Sequence, residues 1–214
     1  MDSLLPHLPG IALALTALFT AIVSPGPAIL ATIGTSMTAG RKAGITMALG
    51  TVSTSCFWGS VAALGLGSLL LKYASAIIIL KILGGIYLLW LAFKSFRSAT
   101  KESHLKNKPV MLHSSLAKYY LQGVAIHITN PKPVFGWVAA ITLGITQNST
   151  PLVYILLVLG GTLISLIINI TYAVSFSTNT VAQVYDKFHH WFEVTFGLIF
   201  MAAGLKLLAS AKQS

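Results

Sequence analysis

Charge is scarce in this sequence and acidic charge scarcer still: charged residues make up 8 % of 214, and only four are Asp or Glu. A globular chain ordinarily carries about 25 %. So few charges cannot cover the surface of a water-soluble domain of this size, and 55 % of the residues are apolar. The single cysteine, Cys56, excludes a disulfide framework, a zinc cluster and a CxxC redox pair. There is no GxSxG elbow, no carboxylate pair and no histidine metal motif within the apolar stretches, which argues against an embedded enzyme. His7, His104, His113, His189 and His190 fall in tails or loops without carboxylate or thiol partners, so neither metal nor cofactor is expected. No basic segment precedes the first apolar run, where only Asp2 is charged; the expectation is an uncleaved first span, not a signal peptide.

What is present is hydrophobic length. Mean hydropathy is +0.81, and six stretches reach the roughly 20 apolar residues that a bilayer-crossing helix needs. They run over 10–33, 44–71, 73–93, 119–146, 152–176 and 191–209. Runs this long satisfy their backbone in lipid as helices. The expected fold is therefore an all-α membrane protein of six transmembrane helices, one domain over residues 1–214, with halves at about 10–93 and 119–209 joined by a basic linker over 94–118.

The net charge of +10 would suggest nucleic acid in a soluble chain, but no basic stripe interleaved with aromatics accompanies it. The cations cluster between spans instead. Arg41 and Lys42, then Lys94, Arg97, Lys101, Lys106, Lys108 and Lys118, then Lys187 share one side of the membrane; Lys72 and Lys212 lie opposite. The positive-inside rule places the richer side in the cytoplasm and both termini outside it. The partners implied are the lipid bilayer of the plasma (inner) membrane and a small molecule, not nucleic acid.

Two Pro-x-Pro triplets lie about half a chain apart, Pro25-Gly26-Pro27 and Pro131-Lys132-Pro133, each inside the first span of its half. Three spans per half make the halves opposite in orientation, and interrupted helices at corresponding positions of inverted repeats point to a transporter's binding site. Proline removes a backbone N–H and clashes one turn back, so spans one and four are expected to break there. The carbonyls set free must face protein, water or ligand, and each break exposes a half-helix N-terminus suited to a carboxylate. Gly26 permits unusual backbone angles or a close approach.

Ser24, Pro25, Gly26, Pro27, Asn130, Pro131 and Lys132 are thus the candidate substrate-binding residues. A lysine at the centre of a span is costly unless it faces the bundle interior or water. Lys132 can attract a carboxylate or cap freed carbonyls. Lys81, His127, Lys132 and Asn169 are the candidates for coupling: Lys81 can line the pathway or snorkel, His127 can relay protons or bond a carbonyl, and Asn169 can bind ligand or tie helices together. Lys206 is expected to snorkel and Glu193 to lie at the interface. Thr51, Ser55, Gly59, Ala63 and Gly67 recur every four residues, a small-residue row that predicts close packing within one chain or between two copies of a homo-oligomer.

Taken together, Ser24-Pro25-Gly26-Pro27, Asn130-Pro131-Lys132, and Leu80-Lys81 followed by Gly84 and Tyr87-Leu88-Leu89-Trp90-Leu91 resemble the lysine exporter and homoserine/threonine exporter family. The resemblance implies proton-driven export of amino acids or related metabolites from the cytoplasm. It has departures: relatives often carry asparagine where Ala28 stands, and some carry an acid in the fifth span, where this chain has Ser165 and Asn169. A secondary transporter working by alternating access is the leading expectation. A passive channel or a structural membrane partner is the alternative.

Overall fold

The structure, a computed structural model, describes residues 4–24, 26–72, 74–100, 115–146 and 148–211, with the backbone alone described at 66–72, 74–77, 80, 81, 131 and 179–186. After a short 3-10 turn at Leu5–His7 come α1 (Leu8–Val23), α2 (Pro27–Ala39), α3 (Arg41–Lys72), α4 (Ala74–Ala99), α5 (Leu116–Ile128), α6 (Pro131–Gly144), α7 (Pro151–Ser175) and α8 (Asn179–Ala211), with no strand among the described residues. Six apolar stretches become eight helices because two of them break. The first divides into α1 and α2 at Ser24 and Gly26, the fourth into α5 and α6 at Thr129 and Asn130.

The breaks have local causes. Pro27 and Pro131 each stand at the first position of the following helix, where a missing N–H costs nothing and the fixed φ suits the first turn. Asn130 accepts a hydrogen bond from Lys132 N–H at 3.0 Å and so caps α6. Between α2 and α3 the chain reverses at Gly40, whose φ of +88° favours glycine.

Two helices outrun their apolar stretches. α4 continues past Phe93 to Ala99, and α8 begins at Asn179, well before the apolar run that opens near Trp191. Hydropathy sees only the part that matches lipid, whereas helical hydrogen bonding continues into polar sequence.

Four helical stretches are long and apolar enough to cross a bilayer: Leu5–Val23, Arg41–Gly65, Pro151–Ser175 and Lys187–Ala211. The outward faces carry Leu64, Phe93, Leu121, Leu159, Leu163 and Trp191. In lipid no hydrophobic force drives helices together, so close packing must do so through small residues. Methyl groups added at Gly50 or Gly123 would overlap the backbone of the facing helix, so α3 and α5 lie back to back there. α4 and α8 meet at Gly85 and Gly204, where a Cβ on Gly204 would sit 3.0 Å from the Gly85 carbonyl oxygen. Trp137 of α6, 1 % exposed, lies between Gly59 of α3 and Gly161 of α7, and its indole N–H donates to Ser55 Oγ at 3.1 Å. The small-residue row of α3 is therefore, at Ser55 and Gly59, the seat of Trp137. Leu18, Ile141 and Leu157 complete the core around that ring.

Candidate substrate site at the paired helix breaks

The two breaks meet. The last turn of α1 leaves carbonyls without intrahelical partners, and side chains from the second half of the chain satisfy two of them. Tyr172 of α7 donates its hydroxyl to Val23 O at 2.9 Å, and Lys132 of α6 donates Nζ to Ser24 O at 2.5 Å. In the other direction, Tyr87 of α4 donates to Lys132 O at 3.2 Å. Each half thus holds the broken segment of the other.

Gly26 makes room for this. Its backbone is extended, with φ −127° and ψ −177°, a conformation open to any residue. The expectation of unusual angles is not met; space is the reason for glycine. A Cβ here would stand 3.3 Å from Lys132 Cδ and 3.4 Å from Nζ.

A cavity of about 50 Å³ lies against this junction, large enough to hold water. Ser24, Gly26 and Ala28 line it from the first break, and His127, Asn130 and Lys132 from the second. α3 contributes Thr51 and Ser55, and α7 contributes Ser165 and Asn169. Several wall atoms are polar, buried and without a hydrogen-bond partner. Both ring nitrogens of His127 are in this state, so it bonds none of the carbonyls freed by the break. Asn169, 1 % exposed, donates through Nδ2 to Ser165 O at 2.8 Å and leaves Oδ1 unpartnered. Burying such groups unpaired costs free energy, which a polar guest can return.

The electrostatics are lopsided. Among the side chains that line the cavity Lys132 is the basic one that approaches the break, and no carboxylate joins it. The α6 N-terminus offers little to an anion beyond that side chain, because Pro131 and Pro133 lack N–H groups and Asn130 takes the N–H of Lys132. The α2 N-terminus is better supplied. Pro27 has no N–H and Leu30 N–H is bonded to Gly26 O, which leaves the amide of Ala28 as a first-turn donor without a partner among the described residues. The junction can hold a carboxylate near Lys132 and α2, and an ammonium group near Asn169 Oδ1.

Of the residues singled out from sequence, Ser24, Gly26, Asn130, Lys132, His127 and Asn169 come together here. Pro27 and Pro131 open α2 and α6. Pro25 lies outside the described residues, as does the side chain of Lys81, whose backbone belongs to α4. Lys206 is exposed on α8, as a snorkelling residue would be. Thr51 and Ser55, read from sequence as packing residues, also line the cavity, and Tyr87 and Tyr172 were not anticipated. Tyrosines inside apolar helices need a partner for the hydroxyl, and that was the available signal. Glu193 is a correction. It is 3 % exposed and 3.8 Å from His189 Nε2, which is itself buried in α8 and not in a loop. The long polar start of α8 carries both residues inside the bundle.

Comparison with known proteins finds relatives along most of the chain. The Threonine efflux protein of Salmonella typhi is 26 % identical over 193 residues, covering 89 % of this chain and 93 % of that one. The uncharacterized membrane protein YrhP of Bacillus subtilis is 26 % identical over 215 residues, with 96 % and 98 % covered. The uncharacterized membrane protein YahN of Escherichia coli K12 is 23 % identical over 186 residues, with 86 % and 82 % covered. No solved structure matches. The family model for the LysE type translocator matches residues 19–211, nearly the whole chain, and the protein belongs to that family of membrane translocators.

Proposed function

We propose that this protein exports small neutral amino acids or close analogues from the cytoplasm across the plasma (inner) membrane, as a proton-coupled secondary transporter and not as an enzyme. The observation that carries the reading is the junction itself: Lys132, the Ala28 amide and the unpartnered Asn169 Oδ1 surround one cavity where two broken helices meet. A zwitterion offers what these groups lack, a carboxylate for Lys132 and the Ala28 amide and an ammonium for Asn169. A second cationic group would find no carboxylate in the wall, which favours neutral side chains over lysine or arginine. Membership of the LysE family and the likeness to threonine efflux proteins support amino-acid export.

The architecture we propose is six spans in two inverted repeats, α1–α2, α3 and α4 against α5–α6, α7 and α8. The matching order of broken and continuous helices supports it, as do the pairings of α3 with α7 and α4 with α8 across the halves. The side bearing Arg41, Lys42, Lys94, Arg97, Lys118 and Lys187 is cytoplasmic in this reading, and both termini are outside. Alternating access then consists of the halves rocking about the crossed breaks.

The test is efflux from cells preloaded with labelled alanine, serine, threonine or valine, repeated in proteoliposomes with an imposed pH gradient. Saturable export that collapses with a protonophore supports a coupled carrier. Flux that neither saturates nor responds to the protonophore identifies a channel.

A further inference from the structure

The mechanism above uses the cavity and leaves one buried titratable pair unassigned. Glu193 and His189 lie one turn apart on α8, 3 % and 5 % exposed, with Oε1 and Nε2 3.8 Å apart. Ser95 and Ser98 of α4 lie beside the Glu193 side chain. Glu193 is the one acidic side chain described within the membrane-crossing helices. It lies within electrostatic reach of Lys132 on α6, Lys94 on α4 and Tyr172 on α7, and Lys132 and Tyr172 are the two groups that grip the end of α1. α1, also packed against α8, contributes no titratable side chain.

We propose that Glu193, assisted by His189, is the site that carries the transported proton. This rests on the proton-coupled reading given above. The step is a proton transfer only: a proton enters from the outer side onto the Glu193 carboxylate, His189 serves as the relay, and the proton leaves to water on the cytoplasmic side. Its link to substrate is Lys132. With Glu193 ionised, the negative charge balances Lys132 and the junction as a whole suits a zwitterion of zero net charge. With Glu193 protonated, the junction is left positive and repels the substrate's ammonium group. Proton and amino acid therefore exclude one another, as exchange of one for the other requires. Glu193 does not line the cavity, so the acid senses occupancy without contact.

Purified full-length protein in proteoliposomes, with a radiolabelled mixture of alanine, serine, threonine and valine, separates two kinds of transport. Uphill flux driven by a pH gradient needs the proton site; amino-acid counterflow at equal pH does not. Glu193→Gln, which imitates the protonated acid, is expected to lose at least tenfold of the driven flux, to raise the KM of counterflow, and to leave the remaining counterflow independent of pH. A Glu193→Gln protein that retains driven flux overturns the assignment. Should that variant fail to reconstitute, Glu193→Asp and His189→Gln take its place: driven flux with a displaced pH profile is expected, and profiles that superpose on the parent's overturn the proposal. A parental protein that moves none of the label overturns the transport reading, and one that moves it without responding to pH overturns the coupling on which this proposal rests.

Discussion

Lys132 Nζ donates to the carbonyl oxygen of Ser24 at 2.5 Å, so the lysine of one proline-flanked break closes the open end of the other. The bond is charge-assisted, and hydrogen bonds to charged groups contribute about 1.5–3 kcal/mol each. An ammonium has three N–H donors, so a substrate carboxylate held at Nζ, as proposed above, would sit beside the Ser24 carbonyl. Replacing Lys132 with Ala is expected to abolish efflux while lowering stability in detergent by roughly that amount. Membrane-inserted Lys132→Ala protein exporting at the parental rate would refute the role.

Gly26→Ala tests space without testing backbone freedom. The angles at this position suit alanine, and the new methyl would stand 3.3 Å from Lys132 Cδ. A long flexible side chain can yield a few tenths of an ångström. We expect a folded protein with export reduced several-fold, and a larger loss for Gly26→Val. Equal rates for the parent and both variants, measured by efflux from preloaded cells, would mean that Lys132 adapts without consequence.

Tyr172→Phe removes the donor that satisfies Val23 O at 2.9 Å and leaves a buried carbonyl unpaired, a loss of about 1–3 kcal/mol. Tyr87→Phe is expected to cost less, because Lys132 O lies within α6 and has the helical ladder as well. Thermal unfolding of the two purified variants in one detergent checks the order.

Asn169→Leu should preserve the packing between α3 and α7 while withdrawing the free Oδ1 from the cavity. Loss of one hydrogen bond to a charged guest predicts a KM raised about tenfold or more, with membrane abundance unchanged. An unaltered KM would move the ammonium site elsewhere.

Trp137 fills the space between two glycines. A Cβ at Gly59 would fall 2.9 Å from its ring, so Gly59→Leu is expected to cut the yield of detergent-stable protein sharply. Wild-type yield would show that the ring can move aside.

The breaks could be found by reading because proline's missing N–H is a covalent fact, independent of any neighbour. Their meeting was suggested by half-chain spacing, and Lys132 between two prolines by its cost in lipid. What stayed hidden depends on tertiary neighbours. Gly26 could be glycine for its angles or for its size, and only the position of Lys132 separates these. Glu193 was assigned to the interface because hydropathy marks where apolar sequence begins, not where the bundle does. Asn130 advertised itself as a ligand-binding amide, yet its oxygen caps α6, a role the spacing Asn130-Pro131-Lys132 also permits. Asn169 and Ser165 share a helix face, but nothing in their order reveals that the amide oxygen lacks a partner.

Gly85 and Gly204 seat α4 and α8 directly on each other's main chain. Helices nested that closely cannot slide along one another without collision, so in the alternating access proposed above this contact serves as the axle between the two halves. Turning about that axle would bend the chain where its helices are already severed, at Ser24 and Asn130.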